Sequence, residues 1–463
     1  MKKNFFLFAV LATMMASCSS SDEASNAPVN NSTDAISFDV YAQRTTTRAG
    51  VAGDLTTDAL KTGTHKEAGF GVFAYYTDNN SYDAFATPNF MYNQQVKWVG
   101  DAWTYSPVKY WPNEYGSNAL SDDADQVSFF AYAPWVEVTP STGVVKVATP
   151  PTTATSQTEG ITALSKNSAT GDPLVKYVAV LDPAKCVDLC WGVANPNPGT
   201  TDGKVAWALQ NGGDDQKFDA GLPFLNVKHP TTTGKMQFYF QHALSQLNVQ
   251  VDAYVDGTNA TNALDANTKI YIRSITFTGI ATKGALNLNN TQAAKAQWLD
   301  YAGSNDLTAE EYTIYDGRKD GKEGYADGTQ SNEKVTGLNT NLIQQGTPTI
   351  TSGVTNTAVN LFNSATLTAP VMIIPTGEAM TVTIVYDVET EDPSLATYLS
   401  DGKTHGSSVE NRITATNVFG LLENGKKYTL KLHLGMNSVK FDADVTAWTS
   451  AGDDINSNMP GNQ

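Results

Sequence analysis

Three cysteines, five histidines and five arginines are the residues of this 463-residue chain whose reactivity and spacing could carry chemistry. Cys186 and Cys190 stand four apart in Cys-Val-Asp-Leu-Cys, outside the C-x-x-C spacing of redox and zinc-knuckle sites. No histidine lies close in sequence to complete a metal centre, so the pair reads as two buried thiols, with a local disulfide or a metal as the alternatives. The histidines are scattered at positions 65, 229, 242, 405 and 433. His242 shares a strand face with Met236, Phe238 and Phe240, where a core histidine is the expectation and a general base in a cleft the competing one. No G-x-S-x-G, H-E-x-x-H, P-loop or dinucleotide fingerprint is present. Asp122-Asp123 and Asp214-Asp215 are adjacent on extended polar stretches, so their side chains point opposite ways and do not converge on one substrate bond. The loop from Asp316 to Gly337 looks like a calcium loop but carries Arg318 where an EF-hand needs Asp or Asn. No catalytic residue, metal or cofactor is expected, and no enzymatic activity.

Cys18 is different. Lys2 and Lys3 form a positive start, Phe5 to Met15 an apolar run too short to span a bilayer stably, and Ala16-Ser17 a small-residue junction, the pattern of an export signal over residues 1–17. Met15-Ala16-Ser17-Cys18 resembles a bacterial lipobox, whose cysteine is acylated with chains such as palmitate before the signal is cut. Met15 replaces the usual Leu. Ser19 to Asn31 then reads as a polar tether. The acids Asp22 and Glu23 soon after Cys18 resemble the surface-export signal of Bacteroidetes lipoproteins. Two of the arginines, Arg44 and Arg48, flank a Thr-rich stretch just after the first strand, a small polar segment easily presented to a protease.

The elements that must position these residues are strands. Forty-seven acidic against 30 basic side chains give a net charge of -17, which argues against a nucleic-acid partner or electrostatic docking on anionic lipid. Charged residues are only 17% and apolar residues 41%, ample material for buried cores. Ile36, Phe38 and Val40 alternate with polar neighbours; Gly69 to Tyr76 and Val127 to Pro134 are short, aromatic and bounded by turn formers. Further strands are expected over Pro173–Leu181, Lys235–Val251, Ile270–Ile280, Val371–Ile374, Thr381–Val388, Tyr428–Leu434 and Val439–Val445, with no sustained helical period. Strands at this spacing predict an all-β chain of β-sandwiches. The Asn-, Gly- and Pro-rich stretch 191–234 marks a domain junction near 230.

Trp98, Trp103, Tyr105, Tyr110 and Trp111 cluster in sequence; they read as core, with sugar stacking as the alternative. Taken in order, Ile36-Ser37-Phe38 with Thr47-Arg48-Ala49, Trp103-Thr104-Tyr105 with Tyr110-Trp111-Pro112, Val127 to Pro134, Phe240-Gln241-His242-Ala243-Leu244-Ser245, Ile373-Ile374-Pro375 and Val439-Lys440-Phe441 to Val445-Thr446-Ala447-Trp448 resemble the fimbrillin (FimA/Mfa-like) family, the type V pilins of Bacteroidales. Cys190 falls within a stretch where Asp-Leu-aliphatic-Trp would be expected, which favours a buried thiol over a ligand. The resemblance implies a lipoprotein signal peptide (1–17), a lipidated tether and first strand removed on maturation (18–48), and two tandem transthyretin-like β-sandwiches (49–233 and 234–463). It implies cleavage after Arg48, or Arg44, by an arginine-specific outer-membrane protease. Polymerisation with other pilin subunits would follow by strand exchange, with Val439, Phe441, Ala443 and Val445 as the donor face. The expected setting is the outer-membrane surface and the fimbrium, held to membrane through lipid alone, with adhesion to a host or bacterial surface ligand. The alternative is a surface glycan-binding lipoprotein using the aromatic cluster.

Overall fold

The computed structural model describes residues 35–42, 55–112, 124–147, 157–180, 183–207, 216–230, 234–253, 267–316, 359–360, 362, 370–399, 403–434, 439–447 and 455–458. The first strands are β1 (Phe38–Ala42), β2 (Phe70–Tyr76), β3 (Met91–Val99), β4 (Ala102–Thr104), β5 (Gln126–Ala133), β6 (Gly160–Leu164), β7 (Leu174–Val178) and β8 (Cys190–Val193). There follow β9 (Lys204–Ala206), β10 (Lys217–Asp219), β11 (Phe224–Lys228), β12 (Met236–His242), β13 (Ser245–Ala253), β14 (Thr268–Ala281), β15 (Lys283–Asn287) and β16 (Gln297–Leu299). The remainder are β17 (Glu310–Asp316), β18 (Val359–Asn360), β19 (Val371–Pro375), β20 (Thr381–Glu391), β21 (Gly406–Ala415), β22 (Lys426–Leu434), β23 (Val439–Ala447) and β24 (Ile455–Asn458). A single turn of helix, α1 (Thr57–Lys61), starts where the Thr56 hydroxyl accepts the Ala59 N–H at 3.0 Å, and it buries Leu60. The chain is all-β, as its composition leads one to expect.

Two large sheets organise it. One runs β1-β12-β8-β5-β2-β3-β4, with β11 also on β5; the other runs β21-β20-β14-β19-β13-β22-β23-β24, with β17 on β14 and β18 on β13. Most neighbours are antiparallel, but β1 lies parallel to β12 and β13 parallel to β22. β2 and β5 are buried on both faces. Phe70, Val72, Val127 and Phe129 face one core, shared with β1, β12, Trp207 and Phe218. Phe73, Tyr75, Phe130 and Tyr132 face a second core, which continues through Trp191 and Tyr177 to Leu247, Ile373, Ile384 and Tyr428 of the second large sheet.

That second core ties the two halves of the chain together. β7, from the first half, pairs antiparallel with β15 from the second, so β16-β15-β7-β6 form one sheet drawn from both. Between β7 and β15, the Asp172 carboxylate accepts the Tyr82 hydroxyl at 3.1 Å and the side-chain amides of Asn287 and Asn289, each at 2.9 Å. Trp191, fully buried, donates its indole N–H to Asn290 Oδ1 at 3.1 Å, and the Asn290 amide donates to Gly221 and Gln292 carbonyls.

The expected strand Lys235–Val251 is two strands. β12 pairs with β1 and β8 in the first sheet, and the chain passes to the second sheet at Ala243-Leu244. The Ala243 carbonyl accepts the Trp298 indole N–H at 3.0 Å, and its N–H donates to the Leu189 carbonyl at 2.8 Å. Apolar alternation changes phase across this crossover, from Met236, Phe238 and Phe240 to Leu247, Val249 and Val251, and that shift is the sequence's mark of the break. Replacing Asn290 by Ala leaves the buried Trp191 N–H without an acceptor and should cost about 1–3 kcal/mol. Because the shared core spans both halves, tryptophan fluorescence and far-UV circular dichroism should report one coincident urea transition, shifted to lower midpoint in the variant.

Candidate functional site

The seat of β1 is the most developed site. β1 ends the first sheet, with its strand ladder to β12, and just before it the Ile36 N–H donates to the Lys109 carbonyl at 2.9 Å. The inward face of β1, Phe38, Val40 and Ala42, is buried, as is Ile36 just before it, while Tyr41 is exposed. Phe38 sits among four rings, stacked on Phe238 with centroids 6.0 Å apart and tilted or edge-on to Phe70, Phe129 and Tyr105. Gly192 on β8 makes room for this packing: a Cβ there would come within 2.9 Å of the Phe238 ring.

Polar contacts fix the register. Tyr105 donates its hydroxyl to the Ile36 carbonyl at 2.7 Å and accepts the Lys109 N–H at 3.2 Å. Burial pushes the Tyr105 phenol up to about 12, against the lowering contact with the Lys109 backbone, so it stays a donor at physiological pH. The Ser37 hydroxyl donates to the Gly234 carbonyl at 3.0 Å, and the Thr57 hydroxyl bonds both the N–H and the carbonyl of Ala42 at 2.8 Å. In sequence, Arg44 and Arg48 follow directly after this strand. Both arginines and Cys18 lie outside the described residues, as does most of the calcium-like loop.

The segment expected to be a donor strand is β23. Within this chain it pairs antiparallel with β22, Ala443 opposite Leu430 and Val445 opposite Tyr428, and with β24 on its other side. Ala443 is buried, Val445 packs half-buried against the shared core, and Lys431 Nζ bridges to Asp444 at 3.1 Å. In the same register Val439 pairs with Leu434 and Phe441 with Leu432.

The aromatic cluster belongs largely to the core beneath β1. Trp103 and Trp111 are each 7% exposed, Trp98 and Tyr105 pack partly buried beside them, and Tyr110 alone, at 51%, offers a face to solvent. A sugar platform needs open ring faces, which Trp103 and Trp111 do not present.

Sequence spacing missed one constellation. Pairing of β12 with β8 sets His242 opposite Cys190, 52 residues away in sequence, and Asp188 lies two residues before Cys190. All three side chains are buried. His242 Nδ1 and Asp188 Oδ2 are 2.6 Å apart; an ionised carboxylate accepts here, and Nδ1 is then the donor. The same oxygen accepts the Leu55 N–H at 3.2 Å and the Cys190 thiol at 3.5 Å. Cys186 points elsewhere, its thiol donating to the Val180 carbonyl at 3.0 Å, and the two cysteines are buried thiols rather than a disulfide. The available signal was the shared inward face of Asp188 and Cys190, two apart on extended chain, together with the inward face of His242.

No family model matches the chain. Over 274 residues it is 28% identical to the fimbrium subunit Fim1C of Phocaeicola vulgatus, an alignment covering 58% of this chain and 55% of that protein. The fimbrillin resemblance is borne out. The chain spans about half the length of that curated relative. Among solved structures, a fimbrial protein from Bacteroides vulgatus matches at a TM-score of 0.47 and 21% identity, covering 90% of this chain and 99% of that one. A fimbrial assembly protein from Parabacteroides distasonis matches at a TM-score of 0.29 and 9% identity, covering 89% and 98%.

If the four-ring seat is what retains β1, Phe38→Ala should lower the stability of the chain that still carries β1 by about 3–5 kcal/mol. Tyr105→Phe, which removes only the hydroxyl, should cost about 0.5–1.5 kcal/mol. Equilibrium urea unfolding of both variants checks the order.

Proposed function

We propose that the chain is a structural subunit of a surface fimbrium, carried to the outer membrane by lipid on Cys18, cleaved after Arg48 with Arg44 as second choice, and assembled by strand exchange. The observation that carries this reading is the match between two faces of the same chain. β1 presents Phe38, Val40 and Ala42 to its seat, with Ile36 just before them, and the C-terminal segment reads Val439, Phe441, Ala443 and Val445: the same alternation, with the one aromatic in the second place. An edge strand can leave without breaking any ladder but its own, and it exposes an apolar slot when it does. Burying an Ile, Phe or Val side chain stabilises by roughly 1.5–3 kcal/mol, so the slot attracts an extended segment of matching pattern. A one-residue slip would turn Lys440, Asp442 and Asp444 inward, which fixes the register of the incoming strand. The fimbrium subunit with which the chain shares sequence supports the same role, and adhesion through such a fibre and assembly with other pilin subunits follow from it.

Proteolysis gives the exchange its direction. The leaving strand is covalently continuous with the body of the subunit until the segment after Ala42 is cut; afterwards its return is bimolecular and competes with a tethered partner. A cysteine carrying more than one acyl chain holds the precursor at the membrane until that cut is made.

N-terminal sequencing of subunits from purified surface fibres should return Ala49, or Thr45 if Arg44 is used; Ser19 or a blocked cysteine would contradict the route. Cys18→Ala should abolish both membrane retention and fibre formation. Phe441→Asp places a charge where the slot is apolar. It should give a folded, soluble subunit that fails to polymerise, and outright unfolding of that variant would make the segment an obligatory strand of its own sheet instead.

A further inference from the structure

We infer that Asp188, Cys190 and His242 form a binding site for a zinc-class divalent ion. Their ligand atoms, one thiol sulfur, one imidazole nitrogen and one carboxylate oxygen, all lie within 4.8 Å of one another, and every one of the three side chains is buried. A sulfur, nitrogen and oxygen donor set is what a borderline-soft ion takes, whereas calcium or magnesium would ask for oxygen alone. A tetrahedral ion with bonds of about 2.0–2.3 Å keeps its ligand atoms about 3.3–3.6 Å apart. The Cys190 sulfur already stands 3.5 Å from His242 Nδ1 and 3.5 Å from Asp188 Oδ2. Only the 2.6 Å approach of His242 to Asp188 must widen, by less than an ångström.

A second observation points the same way. Among the described residues Asp188 Oδ1 has no hydrogen-bond partner, although its side chain is fully buried. A buried carboxylate oxygen without a donor is costly, and a cation bound to the Asp188 carboxylate offsets that cost. The charges also close: a divalent ion with one thiolate and one carboxylate is neutral, so a buried site carries no uncompensated charge. On binding, the Cys190 thiol proton leaves to solvent, the His242 proton moves from Nδ1 to Nε2, and the metal–sulfur, metal–nitrogen and metal–oxygen bonds replace the three hydrogen bonds at the cluster. The ion would clamp three segments: Leu55 through its N–H on Asp188, the start of β8, and the last residue of β12 before the chain leaves the first sheet.

Cobalt tests this, because a cobalt–thiolate bond absorbs in the near ultraviolet while zinc is silent. The reduced, metal-stripped chain is incubated with Co2+, and a second sample is refolded in its presence so that a closed entry path does not mask the site. We expect one Co2+ per chain with a thiolate charge-transfer band, displaced by Zn2+, and a melting temperature raised by a few degrees in Zn2+. Cys186→Ser should keep the band. Cys190→Ser, which exchanges only sulfur for oxygen and whose fold is checked by circular dichroism, should lose it and weaken Zn2+ binding more than about 100-fold. Absence of the band from both wild-type samples, or its persistence in folded Cys190→Ser, overturns the inference.

Discussion

A sheet that is apolar on both faces cannot leave either face open, and that constraint shapes this chain. The central strands β2 and β5 place Phe70, Val72 and Phe129 on one side and Phe73, Tyr75 and Phe130 on the other. Each side therefore demands its own cover. One shares its core with β1, β12, Trp207 and Phe218; the other is covered by β6 and β7 together with residues of the second large sheet. The two halves are thus not beads on a string. The mixed sheet β16-β15-β7-β6, the Asp172 cluster and the Trp191–Asn290 bond are what it takes to seal the second face.

The elements with strong local signals were legible in sequence. Phe-Gly-Val-Phe-Ala-Tyr-Tyr and Val-Ser-Phe-Phe-Ala-Tyr-Ala are rich in aromatic residues and carry no charge, and they fold as β2 and β5 within a residue of their expected bounds. Pairing was not legible. Nothing local to Ile36–Ala42 announces a parallel partner almost two hundred residues away, and nothing in Pro173–Leu181 announces β15. The crossover at Ala243-Leu244 carries no glycine or proline, and only a one-residue shift in the phase of the alternation marks it. It is held by tertiary contacts, the Trp298 indole and the Leu189 carbonyl, that a sequence window does not contain. β12 consequently hydrogen-bonds with the first sheet, several residues beyond the junction that composition suggested.

The same limit applied to chemistry. Cys186 and Cys190 are the two buried thiols that their spacing suggests, but each has a different neighbourhood that spacing does not show. Cys190 instead meets a histidine from another strand, and the relation between them exists only through the register His242 opposite Cys190. The aromatic cluster was closer to correct in its core reading because tryptophans spaced along short strands bury wherever a facing layer exists. Here that layer is β1 itself, through Tyr105 and Phe70.

The direction of β1 has a mechanical side. β1 and β12 run parallel, and the chain enters one at its N-terminal end and leaves the other at its C-terminal end. Tension applied between those two ends pulls the strands along their length in opposite senses. The five facing residue pairs from Phe38 with Met236 to Ala42 with Phe240 are then loaded together and must fail together. The antiparallel β23–β24 pair differs: pulled apart at its open end, where Asp442 faces Asn458, it opens one rung at a time. Any strand lying in the β1 seat with the same polarity inherits shear loading, the geometry in which a short backbone ladder withstands the greatest force.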